Sequence, residues 1–408
     1  MAQSVVREKL KLLVVERKLI SNRGHHHTQV RALQSVFPDA DIHILAGERY
    51  DGFLGEAVGI ISEERFKLCR LRSKLLYGSV LQRLKAGFKL LLSNKRRLPS
   101  SPYGQEIAVA CGLLKMSAKD MIVVPTADLA SLESIVDLAV RLKDDMPKVL
   151  LRILSATMAE EKGRLFERRL RAALAALPSN VKLFTETEEM ASYFRKVYNL
   201  NIVGGFFMPC SFVFSDFNVH RQSASNTFRV GVLGAPRLEK GSRRVVPIVR
   251  EVAKLREVSA DKEIEFVVQG SEKDFSQTGV YGSISGLPRN SGVIITPLSD
   301  RLSPSDFRRE FQSLDMVLLP YDISIYGLQG SGIIQDSVVA MKPIVYSEGM
   351  AMAHFLKHGN AMAATSDAEF AKALMDIYSK NFDCAEGVVE AARFFEDLLT
   401  NLPTKLNS

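Results

Sequence analysis

The stretch that decides the fold reads VLLPYDISIYGLQGSGIIQDSVVAMKPIVYSE and covers residues 317–348. Two short apolar runs, Val317–Leu319 and Pro343–Tyr346, have the length of buried strands. Between them, the glycine turn Gly330–Gly332 leads into a segment of helical character from Ile333 to Met341. This order of strand, turn, helix and strand predicts one unit of a doubly wound sheet.

The glycine turn is a candidate phosphate site. Glycines let the backbone approach a ligand closely, and the start of the helix that follows presents free N–H groups that attract anions. The predicted donors are the amides of Gly330, Ser331, Gly332 and Ile333. The alternative is a plain strand-to-helix bend in which the glycines serve only the turn.

Length and composition indicate two soluble globular domains. The chain has 408 residues, of which 46% are hydrophobic and 25% are charged, as is ordinary for proteins with large buried cores. No signal peptide and no long apolar span is recognised, so a cytoplasmic location is expected. The cysteines lie far apart without metal-ligand spacing, which predicts reduced cytosolic thiols. They are Cys69, Cys111, Cys210 and Cys384.

The net charge of +8 is concentrated in one basic block, residues 65–97. The block holds eleven Lys or Arg and no Asp or Glu, so the rest of the chain carries about −3. Apolar residues interleave with the cations at spacings that suit one or two amphipathic helices, broken near Gly78. Such helices bind anionic lipid surfaces; the alternative is a core-packed helix pair with a solvated cationic face. Nucleic acid is not expected, because aromatics are scarce and no nucleic-acid motif is present.

A first series of predicted strands and helices is followed by a polar stretch and then by a second series. This pattern predicts an α/β chain with two doubly wound, Rossmann-like domains. The first domain is predicted at 1–210, a polar linker at 211–228, the second domain at 229–385, and a C-terminal helix and tail at 386–408. Strands are predicted at Lys11–Val15, Asp41–Ala46, Asp120–Pro125, Lys148–Leu154, Asn180–Phe184, Ile202–Phe207, Arg229–Leu233, Glu265–Gln269, Val293–Ile295 and Met316–Leu319.

The loop after the first strand carries Gly24 and three adjacent histidines, His25 to His27, before a helix capped by Thr28. Neighbouring loop residues rarely converge on one metal ion. The loop instead follows the carboxyl end of a strand, where open α/β sheets bind ligands. There a histidine such as His25 can hydrogen-bond hydroxyl groups or move protons. Surface histidines without a ligand are the alternative.

A second glycine loop, Gly234–Gly241 with the sequence GAPRLEKG, also follows a strand and precedes a helix. Together with the turn at 330–332 it resembles the group 1 (family 4-like) retaining glycosyltransferases, which have the GT-B fold. In that family a basic pair, here Arg237 and Lys240, binds the pyrophosphate of a nucleotide sugar. Residues 336–345 are similar to the segment that the family writes EAMAxGxPVV.

The resemblance implies two domains that face each other across a cleft, with the C-terminal helix crossing back to the first domain. It implies an acceptor side in the first domain and a nucleotide-sugar side in the second. The implied activity is a retaining, metal-independent transfer of a hexosyl group to a glycan or lipid-linked acceptor in cell-surface polysaccharide synthesis. No cofactor is expected beyond the nucleotide-sugar substrate. Residues 65–97 would place such an enzyme at the inner face of the membrane.

The resemblance also assigns roles to single residues. Asp336 would hydrogen-bond ribose hydroxyls, Gly24 would contact the donor, and His25 would contact sugar, phosphate or acceptor. The chain departs from the family where Leu328 takes the place of its first glutamate, and where Arg237 lies two positions late in the first loop. A non-catalytic GT-B scaffold or nucleotide-sugar-binding subunit is therefore an alternative, and a sugar-nucleotide epimerase is a second one.

Overall fold

A computed structural model describes residues 9–20, 25–92, 98–156, 163–216, 226–234, 237–256, 262–270, 292–300 and 302–407. The chain divides into two compact units. The first comprises Met1–Met208 and Pro403–Ser408, and the second comprises Pro209–Leu402. Within the described residues, each unit is built on one sheet of parallel strands.

The first sheet is made of β1 (Lys11–Glu16), β2 (Asp41–Gly47), β3 (Gly59–Ile61), β4 (Met121–Ala127), β5 (Lys148–Ile153), β6 (Val181–Thr185) and β7 (Ile202–Val203). Their order is β3-β2-β1-β4-β5-β6-β7. The central strands are buried on both faces, which explains why they read as continuous apolar runs. The strand order reverses direction between β1 and β4, and ligands of such sheets bind outside the carboxyl ends at this switch point.

The helices of the first unit are α1 (His25–Val36), α2 (Glu63–Tyr77), α3 (Val80–Leu92), α4 (Gly104–Leu113), α5 (Leu129–Leu142), α6 (Arg164–Ala175) and α7 (Glu188–Tyr198). Thr187 caps α7, because its side chain accepts the Met190 N–H. The prediction for Thr28 is wrong. α1 already begins at His25, so Thr28 lies inside the helix and the histidines occupy its first turn.

The described part of the basic block, residues 65–92, folds into α2 and α3, which are separated at Gly78 as the sequence predicts. α2 buries Cys69 and Ser73 against the unit. α3 buries Ala86 but leaves four large apolar side chains 61–77% exposed. These are Val80, Leu81, Leu84 and Phe88. The helix pair therefore packs through α2 and presents an apolar face of α3 to solvent. No described helix is both long and apolar enough to cross a membrane.

The second sheet is made of β8 (Thr227–Val232), β9 (Glu263–Gln269), β10 (Val293–Leu298), β11 (Met316–Leu319), β12 (Ile344–Ser347) and β13 (Ala361–Ala364). Their order is β10-β9-β8-β11-β12-β13, so the switch point lies between β8 and β11. The helices are α8 (Val245–Leu255), α9 (Pro304–Gln312), α10 (Ile323–Tyr326), α11 (Gly332–Val339), α12 (Asp367–Tyr378) and α13 (Ala385–Asn407).

The C-terminal helix α13 extends to Asn407, and its last residues belong to the first unit. There the Lys405 Nζ donates to the Gly204 carbonyl at 2.6 Å, and the Lys148 Nζ donates to the Leu406 carbonyl at 2.9 Å. The second bond satisfies a carbonyl group of the last helical turn that would otherwise lack a partner, and the first ties the helix end to the loop after β7. The α/β fold class with two doubly wound sheets is confirmed, and so is the return of the C-terminal helix to the first unit.

Candidate functional site

The loop after β8 lies at the switch point of the second sheet. Gly234 directly follows the strand with a φ of 93°, a conformation that favours glycine. Its N–H donates to Gln269 Oε1 at 2.8 Å. A Cβ added to Gly234 would lie 2.5 Å from the Lys240 Nζ. Gly234 therefore leaves room for the lysine ammonium directly at the carboxyl end of β8.

Lys240 reaches from this loop towards the exit of β11. The next residue, Gly241, has a φ of 67°, and a Cβ there would lie 1.8 Å from the Pro320 carbonyl oxygen. The two loops thus touch, and the Lys240 Nζ lies 5.8 Å from the ring centre of Tyr321. Burial and the nearby Arg237 lower the pKa of Lys240 to about 8. A cation held in this way is stabilised by an anion in contact with it.

Arg237 lies on the same loop but is more accessible. Its side chain is 59% exposed and approaches Glu239 at 3.8 Å. The structure therefore brings the two predicted cations onto one loop, with Lys240 as the inner and Arg237 as the outer of the pair. An exposed charge is screened by water and contributes less to binding than a half-buried one.

The predicted glycine turn leads into α11. Ser331 is buried at the N-cap position, and its N–H donates to the Met352 Sδ at 3.2 Å. The amides of Gly332 and Ile333 have no hydrogen-bond acceptor among the described residues, as is usual in the first turn of a helix. Of the four predicted amide donors, those of Gly330, Gly332 and Ile333 thus have no acceptor among the described residues, whereas the Ser331 amide is used by the protein.

Gly332 is required for packing. A Cβ added to it would lie 2.3 Å from the Cys210 Sγ. Cys210 is also close enough to Lys240 to oppose the lowering of its pKa. On the other side, Tyr321 has its pKa raised by burial and by Tyr326, and the Ser331 side chain partly offsets this rise. Lys240 and the glycine turn therefore share the neighbours Cys210 and Tyr321.

Two buried hydroxyl groups at this edge of the sheet have no hydrogen-bond partner among the described residues. Ser242 lies in the loop after β8, and Ser347 ends β12. A buried polar group without a partner is costly, so each one calls for an explanation. A polar ligand bound at the carboxyl edge of the sheet would supply partners for such groups.

Asp336 has a different role from the predicted contact with ribose. It is 1% exposed, and its two carboxylate oxygens accept hydrogen bonds of 2.8 Å from the N–H and the Oγ–H of Ser211. Burial raises the pKa of Asp336 to about 7, even though hydrogen bonds from Ser211 and Phe212 oppose the rise. The side chain thus anchors the segment that enters the second unit and is not presented to solvent.

In the first unit, Gly24 lies outside the described residues, and of His25 only the backbone is described. His26 lies at the switch point of the first sheet, with its Nδ1 3.3 Å from Glu16 Oε1 at the end of β1. Burial raises the pKa of Glu16, but hydrogen bonds from His26 and Thr126 outweigh it and bring the pKa below its ordinary value. Glu16 was not among the predicted site residues, although a carboxylate that ends an apolar strand is a visible signal.

Several solved structures share this architecture. Neither the protein-family models nor the curated protein sequences include a match to the chain. Among solved structures, HepE from Anabaena in complex with UDP is similar at 12% identity, with 98% of each chain covered and a TM-score of 0.60. A glycosyltransferase from Rickettsia africae is 14% identical over 98% of this chain and 97% of its own, with a TM-score of 0.61.

A UDP-forming α,α-trehalose-phosphate synthase from Burkholderia xenovorans is 10% identical over 98% of this chain and 97% of its own, with a TM-score of 0.58. At such low identity the likeness concerns the backbone architecture. It extends over nearly the whole chain and includes both parallel sheets. The chain therefore has the GT-B fold.

Proposed function

We propose that this protein is a glycosyltransferase that moves a sugar from a nucleotide-sugar donor to a glycan or lipid-linked acceptor. The observation that carries the proposal is the half-buried Lys240 ammonium at the switch point between β8 and β11, beside the start of α11. Solved structures with the same fold support it, since HepE has been captured with UDP and with UDP-glucose.

The proposed chemistry follows from charge. When the glycosidic bond of a nucleotide sugar breaks, the nucleoside diphosphate leaves with additional negative charge. Fixed cations and oriented N–H groups stabilise such charge without reorganisation. Lys240 supplies the inner cation, Arg237 the outer one, and the amides of Gly332 and Ile333 add the positive end of a helix dipole. We propose a retaining transfer in which these groups stabilise the leaving diphosphate, so that no metal ion is needed.

The first unit would supply the groups that meet the acceptor. His26, oriented by the buried Glu16, can donate or accept a proton at its second ring nitrogen. His25 and Gly24 remain predictions for the same region. The proposed donor site leaves Asp336 out, because its side chain is 1% exposed and binds Ser211.

A lipid-linked acceptor is proposed from the exposed face of α3. Leu84 and Phe88 lie one helical turn apart on this face, and Lys85 and Lys89 lie beside them. Exposed apolar side chains flanked by cations fit the interface of an anionic bilayer. Such binding would hold the enzyme at the inner face of a membrane, where cell-surface polysaccharides are assembled on lipid carriers.

The membrane proposal is tested by sedimentation with vesicles that contain or lack anionic lipid. We expect the protein to sediment with anionic vesicles, and the Leu84→Ser/Phe88→Ser variant to remain in solution. Val109→Ser/Leu113→Ser is the matched control, because both side chains are exposed and apolar on α4. Equal sedimentation of the wild type and the α3 variant would reject this surface.

The activity is tested by incubating the purified protein with labelled UDP-, GDP-, ADP- and dTDP-sugars and a membrane extract. Transfer of label to a lipid or glycan product supports the proposal, and absence of both transfer and nucleotide binding would reject it. Nucleotide binding without turnover would favour a non-catalytic subunit, which Leu328 in the place of a family glutamate makes the second candidate. A changed nucleotide sugar without any acceptor would indicate an epimerase.

A further inference from the structure

A separate cavity of about 230 Å³ opens at the carboxyl ends of β1, β2 and β3 in the first unit. Its wall is formed by the residues that follow these strands and by the first turns of α2. Strand ends of this kind are where open α/β sheets hold ligands. None of the residues assigned above to the donor lines this cavity.

Arg17 is the fixed cation of this cavity. Its guanidinium lies 4.4 Å from the ring centre of Phe66, and one of its N–H groups donates to Asp128 Oδ2 at 3.2 Å. Gly47 helps to set this position, since a Cβ there would lie 2.1 Å from the Arg17 carbonyl oxygen. A guanidinium has five N–H donors in a planar fork, and the described residues use one of them. The others are available to a ligand.

Positive charge exceeds negative charge along the wall. Arg17, Arg49, Lys67 and Arg70 line the cavity together with two carboxylates, those of Glu48 and Glu63. Arg49 is exposed and makes no ion pair with any described residue. Of the three arginines along the wall, Arg17 is thus held in place, and Arg49 has no charged partner within the described part of the chain.

Both carboxylates already have partners. The Glu48 Oε2 accepts the N–H of Glu63 at 3.0 Å, at the start of α2. The Glu63 carboxylate pairs with Lys67 at 3.9 Å, one helical turn further on. Both carboxylates are therefore engaged at the start of α2. The arginines account for the excess of positive charge along the cavity wall.

We infer that this cavity binds a phosphate group carried by the acceptor, with Arg17 and Arg49 as its ligands. Arginine forks match phosphate oxygens in geometry and charge. The half-buried Phe66 and the exposed Ile20 offer apolar surface beside the arginines for the group that bears the phosphate. The identification of the phosphate-bearing molecule as the acceptor rests on the proposed glycosyl transfer. The phosphate site itself is inferred from this geometry alone. A soluble sugar phosphate and a lipid phosphate share the chemistry that the site recognises.

Calorimetric titration of the full-length protein tests the inference with three probes: glucose, glucose 6-phosphate and the short-chain lipid phosphate citronellyl phosphate. We expect one or both phosphate-bearing probes to bind, and glucose to bind much more weakly. Arg49→Gln should weaken phosphate binding by about two- to fivefold, because the exposed side chain is partly screened by water. Arg309→Gln, another exposed arginine, is the control and should bind as the wild type does. Preference between the two phosphates identifies the source of the group.

UDP is titrated in parallel, because it reports on the proposed donor site independently. Unchanged UDP affinity in Arg49→Gln together with weakened phosphate binding is the expected result. If UDP binds but the phosphate probes bind equally to wild type and Arg49→Gln, or do not bind at millimolar concentration, the inference is overturned and the proposed function stands. If the phosphate probes behave as expected but no nucleotide binds, the phosphate site stands and the proposed function falls.

Discussion

Asp336 and Ser211 form a two-point contact: the Ser211 N–H donates to one carboxylate oxygen and the Ser211 Oγ–H to the other, both at 2.8 Å. Asp336 lies in α11, the helix whose start forms part of the proposed donor site, and Ser211 lies just after the chain enters the second unit. Phe212, the next residue, is buried against Phe307 and Phe311. The entry segment is therefore fixed onto the donor helix.

The buried carboxyl should make stability depend on pH. The pKa of Asp336 is about 7 in the folded protein against an ordinary value of 3.8, so the folded state binds more protons between these values. The free energy of unfolding then falls as pH rises through this window. Asp336→Asn keeps hydrogen-bonding groups but does not titrate, so its melting temperature should fall less between pH 4 and pH 7. An identical slope in wild type and Asp336→Asn would contradict this assignment.

Gly332→Ala should destabilise the second unit, because the new methyl group would lie 2.3 Å from the Cys210 Sγ. Overpacking of this kind costs about 1–3 kcal/mol. The double variant Gly332→Ala/Cys210→Ala removes the sulfur and should recover most of the loss in a chemical unfolding experiment. Additive effects of the two substitutions would show that the two side chains do not interact.

Lys240→Ala should weaken nucleoside-diphosphate binding by about 1–3 kcal/mol, the range for losing a charged hydrogen-bond partner. Arg237→Gln should cost less, about 0–1 kcal/mol, because the side chain is 59% exposed. Lys254→Ala is the control, since that lysine is exposed on α8 and pairs with Glu251. Calorimetry with UDP or the preferred nucleotide measures all three. Equal losses in Lys240→Ala and Lys254→Ala would reject the role of Lys240.

The same lysine predicts how nucleotide affinity varies with pH. Its pKa is about 8, so the ammonium loses its proton as pH rises through this value. Diphosphate affinity should therefore decline above pH 8, with a slope that approaches tenfold per pH unit. Lys240→Met lacks the titrating group, so its weaker binding should show no such decline. A flat profile in the wild type would exclude a direct contact between Lys240 and the phosphate.

The backbone architecture was largely predictable, because parallel strands buried on both faces leave continuous apolar runs. Met316–Leu319 matches β11 at both ends. The helices α4 and α6 offer no cap that could be recognised in the sequence, because the residue before each makes no side-chain cap hydrogen bond. The predicted start of α1 was wrong, because the polar histidines before Thr28 were assigned to the loop, whereas the helix begins at His25.

Of the candidate site, only the residues that lie on a single loop could be predicted from the sequence. Arg237 and Lys240 are neighbours in sequence, so a strand followed by a glycine loop was sufficient to place them at the edge of the sheet. The role of Asp336 depends on Ser211, which lies 125 positions away in the chain. The pairing of His26 with Glu16 depends on how far the first strand extends. Contacts of this kind leave no periodic signal, so only the folded chain shows them.

The most direct test is a crystal structure of the protein with a bound nucleoside diphosphate. We predict that a phosphate oxygen lies about 3 Å from the Lys240 Nζ and that another accepts the amide of Gly332 or Ile333, at the usual hydrogen-bond distance. The Asp336 side chain should keep its contact with Ser211 and stay away from the ribose. A diphosphate that binds elsewhere, with no contact to Lys240, would contradict the proposed donor site.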